Sequence, residues 1–180
     1  MSKTALVVID MQRAMFETPG EVPHDGDRVL AAVLALLGAS RQSATPVVFV
    51  QHTASSPGHP LHREAKGWPL HPALAPRAGE SVVEKTTFDA FHQTSLQHTL
   101  DSLGAKRLIM CGMQTEFCVD TSCRRAFSLG YDVLLVADAH TTFETEIIPA
   151  QTIVAHHNRT LGGRFCKTLK SAEAIALMPA

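Results

Sequence analysis

Three residues of this chain carry the side chains that covalent acyl transfer requires: Asp10, Lys85 and Cys118. A thiol in the first turn of a helix has its thiolate stabilised by the helix dipole and by free backbone N–H groups, and a nearby ammonium adds to this effect. A carboxylate beside the thiol can take its proton and later hand that proton to a leaving amine. Together the three side chains supply the roles needed by a hydrolase that forms an acyl-enzyme.

The cysteines and the aspartate also have purely structural interpretations, which the residues taken singly leave open. An aspartate at the end of a strand often forms a loop or caps a helix, and a free cysteine often packs as a small buried group. We expect Cys111, Cys123 and Cys166 to pack in that way. The combination of carboxylate, ammonium and thiol is what favours catalysis.

Short apolar runs typical of buried parallel strands must position these side chains. Strands are predicted over residues 5–10, 46–50, 81–85, 107–111 and 132–137, and helices over residues 27–40, 94–103, 116–129 and 144–161. Three of the helices are followed by glycine, at positions 104, 130 and 162. The alternation predicts one three-layer α/β domain over residues 1–180. Ligands of such sheets bind beyond the carboxyl ends of the strands, where Asp10 and Lys85 stand.

Composition narrows the classes of partner and compartment. The 180 residues include 16 basic and 17 acidic side chains, so the net charge is −1 and provides no electrostatic footprint for nucleic acid or an anionic membrane. No apolar run approaches the roughly 20 residues of a membrane span, and the amino-terminal apolar run is too short for a signal peptide. We therefore expect a cytoplasmic protein with a small-molecule partner.

Residues 51–80 interrupt the alternation of strands and helices. About thirty residues without periodicity, rich in proline, glycine and histidine, predict a functional excursion over the site. Four histidines lie here, at positions 52, 59, 62 and 71, and imidazole is a common zinc ligand. Their spacing is irregular, and loop histidines more often bond to backbone or water, so neither a metal nor another cofactor is predicted.

Several motifs resemble those of the isochorismatase-like cysteine hydrolases, a superfamily that also holds nicotinamidases and N-carbamoylsarcosine amidohydrolase. The matching segments are LVVIDMQ at 6–12, VVEKTTFDAF at 82–91, CGMQTEFCV at 111–119, AFSLGYDV at 126–133, and the pair Asp138-Ala139. The resemblance runs from about residue 4 to residue 165. One departure concerns the metal: nicotinamidases use an Asp-x-His pair after the second strand, and this chain has Gln51-His52-Thr53-Ala54 without the aspartate.

The resemblance implies a particular fold and a particular active site. It implies a six-stranded parallel Rossmann-like sheet in the order 3-2-1-4-5-6, with the sixth strand near residues 164–168. It implies Asp10, Lys85 and Cys118 as a catalytic triad, and a cis peptide bond between Met113 and Gln114. That bond would turn the Gln114 N–H toward the same point as the Cys118 N–H, forming an oxyanion hole.

The predicted function is hydrolysis of a C–N bond in a small amide, carbamoyl compound or ureide through a thioester on Cys118. Phe16, Phe88 and Phe91 are candidate apolar walls of the substrate pocket, and each is an equally good candidate for the core. The alternative is vinyl-ether hydrolysis of isochorismate by Asp10 without a covalent intermediate. A third interpretation is a redox-sensing protein with a reactive cysteine. Relatives are commonly dimers or tetramers, so a homo-oligomer is expected.

Overall fold

Six apolar segments form a single parallel β-sheet in a computed structural model that describes residues 3–179. The strands are β1 (Lys3–Ile9), β2 (Val47–His52), β3 (Ser81–Lys85), β4 (Ala105–Met113), β5 (Asp132–Thr141) and β6 (Lys167–Leu169). Their order is β3-β2-β1-β4-β5-β6, and every neighbouring pair is parallel. The predicted order and fold class are confirmed.

Helices cover both faces of the sheet and complete the three layers. They are α1 (Ala14–Glu17), α2 (Gly26–Gln42), α3 (Leu96–Ser102), α4 (Asp120–Ser128), α5 (Ala150–Leu161) and α6 (Ser171–Ala176). Side chains of β1 alternate between two apolar cores: Val7 packs on the face of α3 and α4, and Val8 packs on the face of α2 and α6. Burial on both faces explains why β1 is a continuous apolar run. Among these helices none combines the length and apolar composition needed to cross a bilayer.

The structure shifts several predicted element boundaries. β4 and β5 continue past their predicted ends to Met113 and Thr141, and β6 begins at Lys167, within the predicted region. Helix α5 begins at Ala150, six residues after the predicted start, because the Thr145 hydroxyl binds the N–H groups of Ile147 and Ile148 in a turn. Two short helices, α1 and α6, were not predicted.

Gly112 lets the carboxyl ends of β1 and β4 approach each other closely. Its φ is +123°, and a Cβ built there would lie 2.0 Å from the Ile9 carbonyl oxygen, so only glycine fits. Ile9 and Gly112 are paired in the sheet, and the residues that follow them are Asp10 and Met113. The close pairing holds the segment after β1 beside the segment that leads to Cys118.

Residues 53–80, the excursion between β2 and β3, are bonded to the segment that follows β1. The Gln12 amide donates to the carbonyls of His52 and Trp68 at 2.9 and 2.6 Å, and the Gln51 amide donates to Trp68 at 2.9 Å. The Ala14 N–H bonds to the Gly67 carbonyl at 2.9 Å. The excursion therefore lies against the edge of the sheet at which the strands end.

Candidate active site

Asp10, Lys85 and Cys118 meet at the carboxyl edge of the sheet. Asp10 is the first residue after β1, Lys85 is the last residue of β3, and Cys118 lies in the turn between β4 and α4. The Lys85 Nζ lies 2.6 Å from Asp10 Oδ2 and 3.1 Å from Cys118 Sγ. Asp10 and Lys85 are fully buried, and Cys118 is 7% exposed. Three groups that are far apart in the sequence thus form one buried cluster.

The Lys85 ammonium has two further acceptors, which sequence reasoning did not predict. Its Nζ lies 3.1 Å from His52 Nδ1 and 3.1 Å from the Thr87 carbonyl. Burial, and then the Lys85 charge, lower the pKa of His52, so the imidazole is neutral and its Nδ1 can accept a hydrogen bond from the ammonium. Because an ammonium has three protons, Asp10, Cys118, His52 and Thr87 cannot all be bonded at once.

Cys118 is held as a thiol, contrary to the thiolate that a helix start and a lysine would favour. Burial, and then the Asp10 carboxylate, raise the pKa of Cys118 to about 12, and Lys85 opposes this only in part. Asp10 Oδ1 is buried and has no hydrogen-bond partner among residues 3–179. An unpartnered carboxylate oxygen beside a protonated thiol is arranged to act as a general base.

The turn that carries Cys118 is a π-helical turn, Thr115–Val119, that leads directly into α4. The N–H groups of Phe117 and Val119 bond to the Gln114 carbonyl at 3.2 and 3.1 Å. The peptide bond between Met113 and Gln114 is cis, the geometry that the resemblance implies. Within residues 3–179 the Gln114 N–H has no backbone or side-chain acceptor, so it is free to bind a ligand.

A cavity of about 650 Å³ adjoins this turn at Gln114. Its other walls come from α1 and the residues after it, from residues 59–61 of the excursion, and from Phe143 and Glu144 beyond β5. A volume of this size holds a small molecule. The excursion therefore supplies part of the cavity wall.

The three candidate pocket phenylalanines lie elsewhere. Phe91 is buried in the core, with its ring 5.9 Å from that of Tyr131. Phe16 packs edge-on against His71 at 5.1 Å and lines a separate cavity of about 580 Å³. Phe88 is 55% exposed and is stacked on the Phe117 ring at 5.3 Å. Thus none of the three lines the cavity beside Gln114.

The four histidines of residues 51–80 do not form a cluster. His59, His62 and His71 each accept a backbone N–H two residues further along the chain, and His52 faces Lys85. Across the part of the chain that the structure describes, no group of three or more His, Cys, Asp or Glu residues is arranged to hold a metal ion. Local hydrogen bonds to the backbone therefore explain the placement of His59, His62 and His71.

Sequence reasoning missed Gln12 and treated His52 only as a candidate metal ligand. Gln12 pairs with both backbone groups of His52, accepting its N–H and donating to its carbonyl at 2.9 Å each. This pairing fixes the residue whose ring faces Lys85. The position of Gln12, two residues after Asp10 within the first motif, was the available signal.

Comparisons with known proteins show which family this chain resembles. The model of the isochorismatase domain matches residues 4–156. Streptothricin hydrolase from Streptomyces noursei is 37% identical over 81% of this chain, which spans only 52% of that protein. Ureidoacrylate amidohydrolase RutB from Stutzerimonas stutzeri (strain A1501) is 27% identical, and the match covers 98% of this chain and 86% of that protein.

A solved structure extends the similarity from sequence to fold. The structure of an isochorismatase from Pseudomonas putida KT2440 superimposes with a TM-score of 0.90 at 31% identity, covering 96% of this chain and 90% of that one. Together with the domain match over residues 4–156, this shows that the chain belongs to the isochorismatase family of hydrolases.

Proposed function

We propose that this protein hydrolyses a C–N bond of a small amide, carbamoyl compound or ureide through a thioester on Cys118. One observation carries the proposal: the Lys85 ammonium lies between the Asp10 carboxylate and the Cys118 thiol, at 2.6 and 3.1 Å, in a buried site. A base, a cation and a nucleophile are then within reach of one substrate carbonyl. Relatives named as amidohydrolases support the same class of bond.

In the acylation half, Asp10 takes the thiol proton as Sγ attacks the carbonyl carbon, and Lys85 stabilises the sulfur as it becomes negative. The tetrahedral oxyanion accepts hydrogen bonds from the N–H groups of Gln114 and Cys118. The C–N bond then breaks, and the proton on Asp10 passes to the leaving nitrogen. The products of this half are free ammonia or amine and a thioester.

In the deacylation half, the same carboxylate works on water. Asp10 takes one proton from the water as the water oxygen attacks the thioester carbonyl carbon. The Gln114 and Cys118 N–H groups stabilise the second oxyanion. The C–S bond breaks, and the proton returns from Asp10 to sulfur. The thiol is regenerated and the acid product leaves.

The buried thiol also bears on the two alternatives. Cleavage of a vinyl ether needs an acid or base but no sulfur nucleophile, so that chemistry assigns no role to the contact between Cys118 and Lys85. A redox sensor needs an accessible thiolate, whereas burial raises the pKa of Cys118 to about 12. Attack on a carbonyl with Asp10 as base uses all three groups.

The test is ammonia release from a panel of carboxamides and ureides by the wild type, Cys118→Ala and Cys166→Ala. Cys166 is a matched control, since it is similarly buried but lies just before β6, at the opposite side of the sheet from β3 and Lys85. We expect activity from the wild type and from Cys166→Ala, and a loss of at least about 1,000-fold in Cys118→Ala. Activity that survives in Cys118→Ala, on a carboxamide or on isochorismate, would contradict the proposal.

Three further predictions accompany this function. We propose a small-molecule substrate without a cofactor, a cytoplasmic location, and a homo-oligomer that is a dimer or a tetramer. Light scattering after size exclusion measures the oligomeric state. A mass of one 19.5 kDa chain would contradict the oligomer.

A further inference from the structure

Two hydrogen bonds through His140 connect Asn158 of helix α5 to the turn that carries Cys118, and a third fixes the Asn158 amide. The Asn158 Nδ2 donates to the Ala137 carbonyl at 3.2 Å, and its Oδ1 lies 3.1 Å from His140 Nε2. The other ring nitrogen, His140 Nδ1, lies 2.8 Å from Thr115 Oγ1. Thr115 and His140 are buried, at 0% and 2% exposure. Every polar side-chain atom of Thr115, His140 and Asn158 therefore has a hydrogen-bond partner.

The contacts set the direction of each bond. Because Asn158 Nδ2 already donates to a carbonyl, Oδ1 is the atom that faces His140, and it can only accept. The Nε2 atom of His140 therefore carries the proton. Burial lowers the pKa of His140 to about 4, so the ring is neutral at pH 7 and Nδ1 has a lone pair. Thr115 Oγ1 consequently donates the hydrogen bond to Nδ1.

Thr115 lies where the turn that carries Cys118 begins. It is the first residue of the turn Thr115–Val119, it directly follows Gln114, and its carbonyl accepts the N–H of Asp120 at the start of α4. A rotation about the Thr115 backbone would move both the Gln114 N–H and the Cys118 side chain. Fixing the Thr115 hydroxyl therefore restricts both groups.

We propose that Thr115 and His140 are positioning residues that hold Cys118 and the Gln114 N–H in the geometry for attack. Neither side chain is hydrogen-bonded to Asp10, Lys85 or Cys118, so their effect passes through the backbone of the turn. The inference deepens the proposed function and rests on it for its kinetic test. It adds a requirement beyond the three groups of the cluster: a neutral His140 oriented by Asn158.

The matched pair Thr115→Val and Thr115→Ser tests this proposal. Valine keeps the shape of threonine and removes the hydroxyl, whereas serine keeps the hydroxyl. On the carboxamide or ureide that the wild type hydrolyses fastest, we expect kcat of Thr115→Val to fall about 10- to 100-fold with KM changed less than about threefold. Thr115→Ser should stay within about threefold of the wild-type kcat.

Thr45→Val controls for the loss of a buried threonine hydroxyl as such. Thr45 is 6% exposed, its Oγ1 bonds to Ser43 at 2.8 Å, and it precedes β2 at the opposite edge of the sheet. We expect its kcat to equal that of the wild type. Equal losses of kcat in Thr45→Val and Thr115→Val, or a wild-type kcat in folded Thr115→Val, would overturn the proposal.

A second readout does not depend on turnover. Iodoacetamide alkylates a thiolate, which at Cys118 forms when Asp10 takes the thiol proton, and mass spectrometry of the Cys118 peptide gives the rate for that residue. We expect Thr115→Val to slow alkylation of Cys118 about tenfold or more, with Thr115→Ser close to the wild type. An unchanged alkylation rate overturns the positioning role. Survival of hydrolysis in Cys118→Ala would instead refute the proposed function alone, so the two failures are distinguishable.

If Thr115→Val does not fold, His140 provides the comparison. His140→Asn places a side-chain oxygen near the position of Nδ1, where it can accept from Thr115, whereas His140→Leu offers no acceptor. We expect faster Cys118 alkylation in His140→Asn than in His140→Leu. The proposal would be overturned if the two folded variants had equal rates of Cys118 alkylation. It would also be overturned if His140→Leu had the wild-type rate.

Discussion

Two polar clusters adjoin the turn Thr115–Val119, and they differ in charge and in how completely their polar atoms are hydrogen-bonded. The charged cluster consists of Asp10, Lys85 and Cys118 with His52, and the neutral chain consists of Thr115, His140 and Asn158. In the charged cluster, Asp10 Oδ1 has no partner among residues 3–179, and one ammonium serves four neighbours. In the neutral chain each polar atom has its partner.

The difference matches the two proposed roles: the charged cluster carries out the proposed chemistry, and the neutral chain positions the turn. A complete hydrogen-bond network has one low-energy arrangement and therefore holds the backbone that carries it. An incomplete network keeps an acceptor available for a proton that is being transferred. The unpaired acceptor and the buried charges lower the stability of the folded protein. Asp10 also has a φ of +48°, in the left-handed region that few residues other than glycine, asparagine and aspartate adopt. The proposed reacting site is therefore the cluster whose polar atoms are less completely hydrogen-bonded.

The largest effect on stability is expected from Lys85→Met. Removing the ammonium leaves the fully buried Asp10 carboxylate without its ion-pair partner, which costs about 3–5 kcal/mol in the free energy of unfolding. The double variant Asp10→Asn with Lys85→Met should be less destabilised, because asparagine is uncharged and tolerates a positive φ. Urea unfolding measures both values. An equal loss for Lys85→Met and for the exposed Lys66→Met would show that the pair is not desolvated.

A smaller effect is expected from the titration of His140. Burial lowers the pKa of His140 from 6.5 to about 4, so between these values the unfolded chain binds a proton that the folded chain does not. The contribution of His140 to the free energy of unfolding is therefore fully present above pH 6.5. It decreases by about 3 kcal/mol in total as the pH drops toward 4.

The variant His140→Asn isolates that contribution. The pKa values of His52 and His71 are also lowered by burial, but both residues remain in the variant. Between pH 6 and 4.5 the wild-type curve of unfolding free energy should be steeper than that of His140→Asn by up to about 1.4 kcal/mol per pH unit. Parallel curves would contradict a neutral, buried His140.

The smallest effect is expected from Asn158→Leu. This change leaves the His140 Nε2–H without an acceptor and removes the bond to the Ala137 carbonyl, at a cost of about 1–3 kcal/mol. Gln151→Leu, at an exposed position on the same helix, should change the free energy of unfolding by less than about 0.5 kcal/mol. Thermal or urea unfolding compares the two, and equal stabilities would show that the neutral chain contributes nothing.

Much of the charged cluster could be predicted from the sequence because its members mark the ends of strands. Apolar runs of five or six residues predict buried parallel strands, and the carboxyl ends of such strands meet at one edge. Asp10 and Lys85 sit at those ends, and Cys118 follows β4. The strand order came from the resemblance, since short apolar runs do not specify which strands are neighbours.

The rest depends on burial and on contacts between distant segments, which local pattern does not show. Asn158 and His140 are 18 residues apart, and they meet only because α5 packs back on β5. The rise in the pKa of Cys118 results from desolvation, which a helix start and a lysine in the sequence cannot reveal. Likewise, the phenylalanines near the second motif have no local signal that separates core from cavity wall.

The central claim is an acyl-enzyme on Cys118, and partitioning to hydroxylamine tests it most directly. Two substrates with the same acyl group and different leaving amines are hydrolysed at one fixed hydroxylamine concentration, and the ratio of hydroxamate to acid is measured for each. A common thioester predicts the same ratio for both substrates, because the leaving amine has gone before water and hydroxylamine compete. Ratios that change with the leaving amine would show direct attack on the substrate and contradict the account.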